Sequence, residues 1–190
     1  MYYLAEQDRE QLMMRATECL DEDSSIEDKI RAARQLYDLW SDQLKREPKI
    51  HQLIGKLKSC LENSRAAMLE LGIVETCKHC DEEEGGSCCG AGLENKFDTF
   101  LLLMNLLLGI SLPERHHRPD SCYLLTDKGC RLKVRLVLCV DFLCPKILNT
   151  ISQRNLIRLQ QVSGDELTTG FMLYDAIKKF FRNKKRAVVN

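Results

Sequence analysis

Apolar residues recur at helical spacing over most of this chain. Ile26, Ile30, Ala33, Leu36 with Tyr37, Trp40 and Leu44 fall on one face, and Ser24 with Glu27 has capping-box spacing at the start. Pro48 punctuates. A second helix carries Ile50, Leu53, Ile54, Leu57, Leu61, Met68 and Leu71, with Gly72 as its stop. An earlier helix is expected over roughly residues 4 to 20.

Residues 73 to 94 break that pattern: Asp81 to Ser87 reads as a charged, glycine-rich loop. A leucine-rich helix is predicted from Glu94 to Ile110, ended by Gly109 and Pro113, with a polar loop over 112 to 121. After Pro145 a helix should run to about Val162, carrying Ile147, Leu148, Ile151, Leu156 and Leu159. Ser163 to Glu166 looks like another capping box, starting a last helix with Leu167, Phe171, Tyr174, Ile177 and Phe181 on one side. The expected fold is mainly α, with helical flanks around an irregular cysteine-rich metal-binding core. Its parts are a helical region over 1–72, a cysteine module over 73–146, and C-terminal helices with a basic tail over 147–190. No internal repeat is visible.

Composition changes this picture little. The 190 residues are 44% hydrophobic, enough for a sizeable core, and the formal net charge of +0 gives no overall pull towards nucleic acid. The first ten residues carry neither a basic nor an apolar signal region, so no signal peptide is expected. The greasiest run, Phe100 to Ile110, is about half of a membrane span, and Asn105 interrupts it. A cytoplasmic location follows from these readings.

That location governs how the ten cysteines are read. In a reducing compartment, clustered cysteines are more often metal ligands than disulfides. Cys19 and Cys60 stand apart on helical patterns, as small buried hydrophobes. The other eight are Cys77, Cys80, Cys88, Cys89, Cys122, Cys130, Cys139 and Cys144. They are spaced C-x2-C-x7-C-C and then C-x7-C-x8-C-x4-C. Two sets of four thiolates suffice for two metal sites, or for one cluster with spares. Soft thiolates select zinc or iron–sulfur clusters over magnesium and calcium. Structural zinc usually announces itself with two C-x2-C knuckles, and only one is present, so iron–sulfur is favoured over zinc. Adjacent Cys88 and Cys89 point apart unless the backbone turns sharply, and so are suited to serving different metals. Gly85, Gly86, Gly90 and Gly92 around them would let backbone approach a bulky cluster.

The segment from Cys122 through Gly129-Cys130, Arg135 and Cys139 to Cys144, with Cys77-Lys-His-Cys80 and Cys88-Cys89 upstream, resembles the YkgJ-type "CxxCxxCC" proteins. The likeness covers roughly residues 77 to 146. The family is described as zinc- or iron-chelating, without an agreed reaction. The resemblance implies that all eight cysteines occupy ligand-type positions and that Arg135 matches the family arginine. Two positions depart from it: the Cys80–Cys88 spacer is seven residues instead of about two, and Leu136 stands where a proline usually follows the arginine.

Arg135 is read beside this as a guanidinium that offsets thiolate charge and donates to sulfur. His79, inside the C-x2-C turn, reads as a solvent-exposed turn residue, His116 and His117 as part of a solvated loop, and His51 as surface. Glu94 reads as a residue that orients a backbone turn or caps the leucine-rich helix, and Asp141 as no ligand. The basic run Lys178, Lys179, Arg182, Lys184, Lys185 and Arg186, beside Phe180 and Phe181, reads first as favourable charge at a helix C-terminus or a solvated tail. Contact with an acidic partner, anionic lipid or nucleic acid is the less favoured alternative.

No nucleophile elbow, P-loop or dinucleotide fingerprint is present, and no thiol stands out as an activated nucleophile, which leans against independent catalysis. The functional expectation is one or two cysteine-ligated centres, favouring a [4Fe–4S] type, in electron transfer or as accessory to a redox enzyme or complex. The alternative is structural zinc supporting a protein-interaction module. A protein partner is expected in either case, with no membrane span and no strong nucleic-acid signal.

Overall fold

A computed structural model describes residues 24–83 and 88–189, and over these the chain is mainly helical. The helix expected over 4 to 20, Cys19, and the glycines Gly85 and Gly86 lie outside the described residues.

Helix α1 spans Ile26–Arg46, and its cap is Ser25, not Ser24: the Ser25 hydroxyl accepts the Asp28 N–H at 3.1 Å. Both serines have an acid three residues on. The choice falls to Ser25 because the helix must begin where Ile26, Lys29 and Ile30 turn inward. Glu47 separates α1 from α2, Pro48–Glu70, which starts on its proline and stops at Gly72, whose φ of +69° is the left-handed conformation of a helix end.

The segment after Gly72 is helical, contrary to the expected break. Helix α3 covers Ile73–Glu83 and is anchored by buried Ile73 against Ala67 and Met68. A 3₁₀ turn, Leu93–Lys96, precedes α4, Thr99–Leu107. The leucine-rich helix thus begins later than the expected Glu94, because Asp98 caps it by accepting the Leu101 N–H at 2.8 Å. Two short antiparallel strands follow, β1 Leu125–Thr126 and β2 Gly129–Cys130.

Helices α5, Val137–Asp141, and α6, Pro145–Thr150, are short, and α7 runs unbroken from Gln153 to Val189. Two expectations are corrected here. The predicted helix through Val162 is split at Ile151 and Ser152, where the Ser152 hydroxyl accepts the Asn155 N–H at 3.3 Å. The capping box at Ser163 is unused: the serine is buried and its hydroxyl donates back to the Leu159 carbonyl. Leu159, Ser163, Glu166, Thr169, Leu173, Ala176 and Ile177 form one buried stripe at i+3 and i+4 spacing across the supposed boundary. That stripe packs along α2, and tertiary burial overrides the local cap signal. Phe171, on the expected apolar side of the last helix, is 71% exposed.

The main buried cluster joins α1, α2, α4 and α7, including Leu36, Leu57, Leu103 and Ile177, with Trp40 edge-on to Phe180 and Phe181. It also takes in Cys122, Leu124 and Leu132. A smaller cluster of Ala67, Met68, Ile73, Val140, Ile147 and Leu159 lies beneath α3, α5 and α6. These three short helices, with the residues that flank them, carry Cys77, Cys80, Cys139 and Cys144. Among the described residues, no helix is long and apolar enough to cross a membrane.

Candidate functional site

The chain brings its two cysteine-bearing halves together through backbone contacts. The Cys122 N–H donates to the Cys89 carbonyl at 2.7 Å, beside an antiparallel bridge between Gly90 and Ser121. Glu94 reinforces that junction. Its carboxylate accepts the Gly92 N–H at 3.0 Å and the Tyr123 N–H at 3.3 Å, so one buried side chain holds both segments. The expected turn-orienting role is present, whereas the leucine-rich helix is capped by Asp98. Lys29, itself buried, donates from α1 to the Asn95 carbonyl at 2.8 Å and anchors this turn to the helical core.

The second cysteine stretch is fixed by Asn105, which interrupts the leucine run of α4. Fully buried, its amide donates to the carbonyls of Leu101 and Val134, and its oxygen accepts the N–H groups of Lys133 and Val134. All of its hydrogen-bonding capacity is used, as burial of an amide requires. This ties residues 133–134, midway between Cys130 and Cys139, to the core.

Cys89, Cys122, Cys130 and Cys139 line one cavity of about 40 Å³, together with Leu93, Phe97, Leu124, Leu125 and Arg135. Burial pushes the Cys89 thiol up to about 11 and the Cys122 thiol up to about 12, with neighbouring thiols adding to the effect. Burial likewise raises Cys130 and Cys139, and Arg135 opposes the rise at both. Backbone hydrogen bonds from Leu124 and Leu132, each two residues past a cysteine, pull Cys122 and Cys130 down. Backbone N–H groups aimed at sulfur favour the thiolate, the form that binds metal.

The remaining four lie outside that cavity. Cys77 and Cys80 sit one turn apart on α3, Cys144 is the residue before α6, and Cys88 precedes Cys89. Partial burial raises the Cys77 thiol, Cys144, Cys88 and Cys80 raise it further, and Arg135 opposes them. Desolvation and then Cys144 and Cys80 raise Cys88. Of the adjacent pair, Cys89 lines the cavity and Cys88 is exposed outside it. The nine described cysteines are all thiols. Among the described residues, no three His, Cys, Asp or Glu side chains close into a group that could hold a metal ion as they stand.

Arg135 lines the cavity and donates to the Met68 sulfur at 3.8 Å. Its charge also reaches Glu166 on α7, a buried carboxyl held above its ordinary range by burial. The polar loop is tied to α3, where Arg118 donates to Asp81 at 2.6 Å. His116, expected in solvent, is half-buried: its Nε2 meets the Ser121 carbonyl at 2.7 Å and its ring lies against Tyr123. His117 pairs with Asp127, while His51, His79 and Asp141 are exposed. Cys60, half-buried on α2, faces the Thr169 hydroxyl at 3.7 Å.

The basic run belongs to the last turns of α7. Lys178 and Lys184 lie over Tyr174 and Trp40, and Lys179 pairs with Asp175, which engages three of its cations along the helix and its core neighbours. Sequence reasoning missed Asn105 as an anchor and the Lys29 and Arg118 ties. A lone polar residue inside a leucine run was the one available signal for the first.

The class defined by these observations is a mainly helical protein with a cysteine-lined interior pocket. No protein-family profile, no curated protein and no solved structure matches the chain.

Proposed function

We propose that this chain is a metal-binding protein with two four-cysteine centres, one built from Cys89, Cys122, Cys130 and Cys139, the other from Cys77, Cys80, Cys88 and Cys144. The observation that carries the reading is the single cavity lined by the first four thiols. All-sulfur ligand sets suit iron–sulfur clusters and zinc. Four thiolates repel one another, and a cation draws them to ligand distance, which couples metal binding to local folding.

An iron–sulfur cluster would supply one-electron chemistry here, in electron transfer or as accessory to a redox enzyme. This chain's part is to hold sulfurs, exclude water with Leu93, Phe97, Leu124 and Leu125, and set charge with Arg135. The likeness to the YkgJ-type proteins supports metal ligation and says little about the reaction.

One observation favours a second reading. A space of about 40 Å³ accommodates a single four-coordinate ion more readily than a cubane, which fits structural zinc and a protein-interaction role.

Metal and acid-labile sulfide analysis of anaerobically purified protein separates the two. Iron with equal sulfide and a visible charge-transfer band establishes the cluster reading. Zinc without sulfide, on a colourless protein, establishes the second. Protein that binds neither, after reconstitution under reducing conditions, overturns both.

A further inference from the structure

Two of the four cavity cysteines sit opposite each other on paired backbone. Gly90 and Ser121 form an antiparallel bridge, so the residues next to them, Cys89 and Cys122, are cross-strand partners. The Cys122 N–H donates to the Cys89 carbonyl at 2.7 Å and fixes that pairing. Hydrogen-bonded opposite residues of an antiparallel pair have α-carbons about 5.5 Å apart and β-carbons about 4.5–5.5 Å apart, on one side of the ladder. A disulfide spans α-carbons about 4.4–6.8 Å apart and β-carbons about 3.5–4.5 Å apart. Both side chains reach the same space, since both residues line the one cavity. Joining their sulfurs therefore asks for a β-carbon shift of about 1 Å and no change of register.

The other two cavity cysteines lack this arrangement. Cys130 pairs across its short hairpin with Leu125, and Cys139 lies on α5. Glu94 pins the Cys89–Cys122 register from beside it, holding Gly92 on one segment and Tyr123 on the other. Access is also unequal: Cys89 is half-buried and Cys122 buried, so a dissolved oxidant meets Cys89 first.

From this pairing we infer that Cys89 and Cys122 close reversibly into a disulfide when the cavity holds no metal, and that the bond gates the site. A small-molecule disulfide, such as glutathione disulfide, supplies the oxidation. The Cys89 sulfur attacks it, forming a mixed disulfide and releasing one glutathione. The Cys122 sulfur then attacks the Cys89 sulfur and releases the second. Two protein thiols become one disulfide, the reagent disulfide becomes two thiols, and the protons pass from the cysteines to the leaving glutathiones. The bond consumes two of four sulfurs, so the cavity can no longer offer a metal four thiolates. Metal on those sulfurs blocks the bond in turn. The gating role rests on the metal-site reading; the bond itself does not.

The test equilibrates the metal-free full chain with glutathione and glutathione disulfide over a range of ratios. Free thiols are then alkylated, and linkages are mapped by peptide mass spectrometry with fragmentation to separate Cys89 from Cys88. The Cys89–Cys122 linkage is expected to exceed any other among the four cavity cysteines about tenfold, and to disappear with excess dithiothreitol. Cys89→Ser should leave Cys122 open to alkylation; the map of the unsubstituted chain decides the matter alone if that variant misfolds. Another pairing prevailing in the cavity, or Cys122 left unlinked at every ratio, would overturn the inference. Protein loaded with zinc or iron should form the linkage about tenfold more slowly, and linked protein should take up about half the metal of reduced protein. Linkage at the unloaded rate with metal retained would sink the gating role. Linkage on a chain that never binds metal defeats the metal reading and the gate together, leaving the disulfide. Metal binding without linkage defeats this inference alone.

Discussion

Cys122 donates its backbone N–H to the carbonyl of Cys89 at 2.7 Å, across 32 intervening residues. That contact places a thiol from each half of the cysteine pattern at one cavity. Cys88, one peptide bond away, is exposed and does not line that cavity. A centre spanning this junction depends on the backbone holding the junction closed.

Adjacent cysteines that serve different centres should behave as independent deletions. Cys88→Ser and Cys89→Ser are each expected to remove about half of the bound metal, and the double variant nearly all of it, with the fold retained by its helical core. Cys60→Ser is the control with unchanged content. Complete loss of metal from either single variant, measured by elemental analysis, would point to one shared site.

Glu94 is the side chain that holds the two cysteine segments together. Glu94→Ala strands the Gly92 and Tyr123 N–H groups and should cost about 2 kcal/mol, whereas Glu94→Gln keeps an acceptor and should cost less. Chemical denaturation of the metal-free protein gives the stability difference. Indistinguishable midpoints for the Ala variant and the parent would contradict the role.

Asn105 carries a comparable load in the core. Asn105→Ala removes four hydrogen bonds and leaves buried backbone groups of Lys133 and Val134 unpaired, at a cost of about 3 kcal/mol or more. The amides of Lys133 and Val134 should lose hydrogen-exchange protection before those of α1 do. Uniform loss across the molecule would mean that Asn105 serves the core alone.

The cysteines predict a pH dependence with a definite sign. Folding raises Cys89 to about 11 and Cys122 to about 12, against 9.0 for an ordinary thiol. Below pH 9 folded and unfolded chains both keep these protons. Above it the unfolded chain ionises first, so the metal-free fold loses stability as pH climbs from about 9 towards 12. Metal must displace the same protons, so affinity should rise with pH over the neutral range and binding should acidify a weakly buffered solution. A pH-independent affinity, followed by titration with zinc or iron, would exclude ligation by these thiols.

Much of the fold is legible in the sequence, for reasons that differ by element. Helices α1 and α2 can be read because single apolar faces at 3.6-residue spacing, a serine cap, Pro48 and Gly72 all agree. The C-terminal third misleads because Ser163 to Glu166 satisfies a local cap rule inside a stripe that remains buried on both sides. Residues 73–83 look like a break because cysteine and acid obscure a helix anchored by Ile73.

By itself the sequence determined a mainly helical chain with eight of its ten cysteines concentrated between residues 77 and 144, since periodicity and composition are local properties. Only the tertiary structure decided that Cys89, Cys122, Cys130 and Cys139 line one cavity while Cys88 stays outside it, that Asn105 and Glu94 hold the cysteine segments, and that Leu138 and Phe142 are left exposed. These are relations between segments far apart in the chain. They follow from which surfaces can be buried together and which polar groups burial leaves in need of a partner, and no local pattern encodes them.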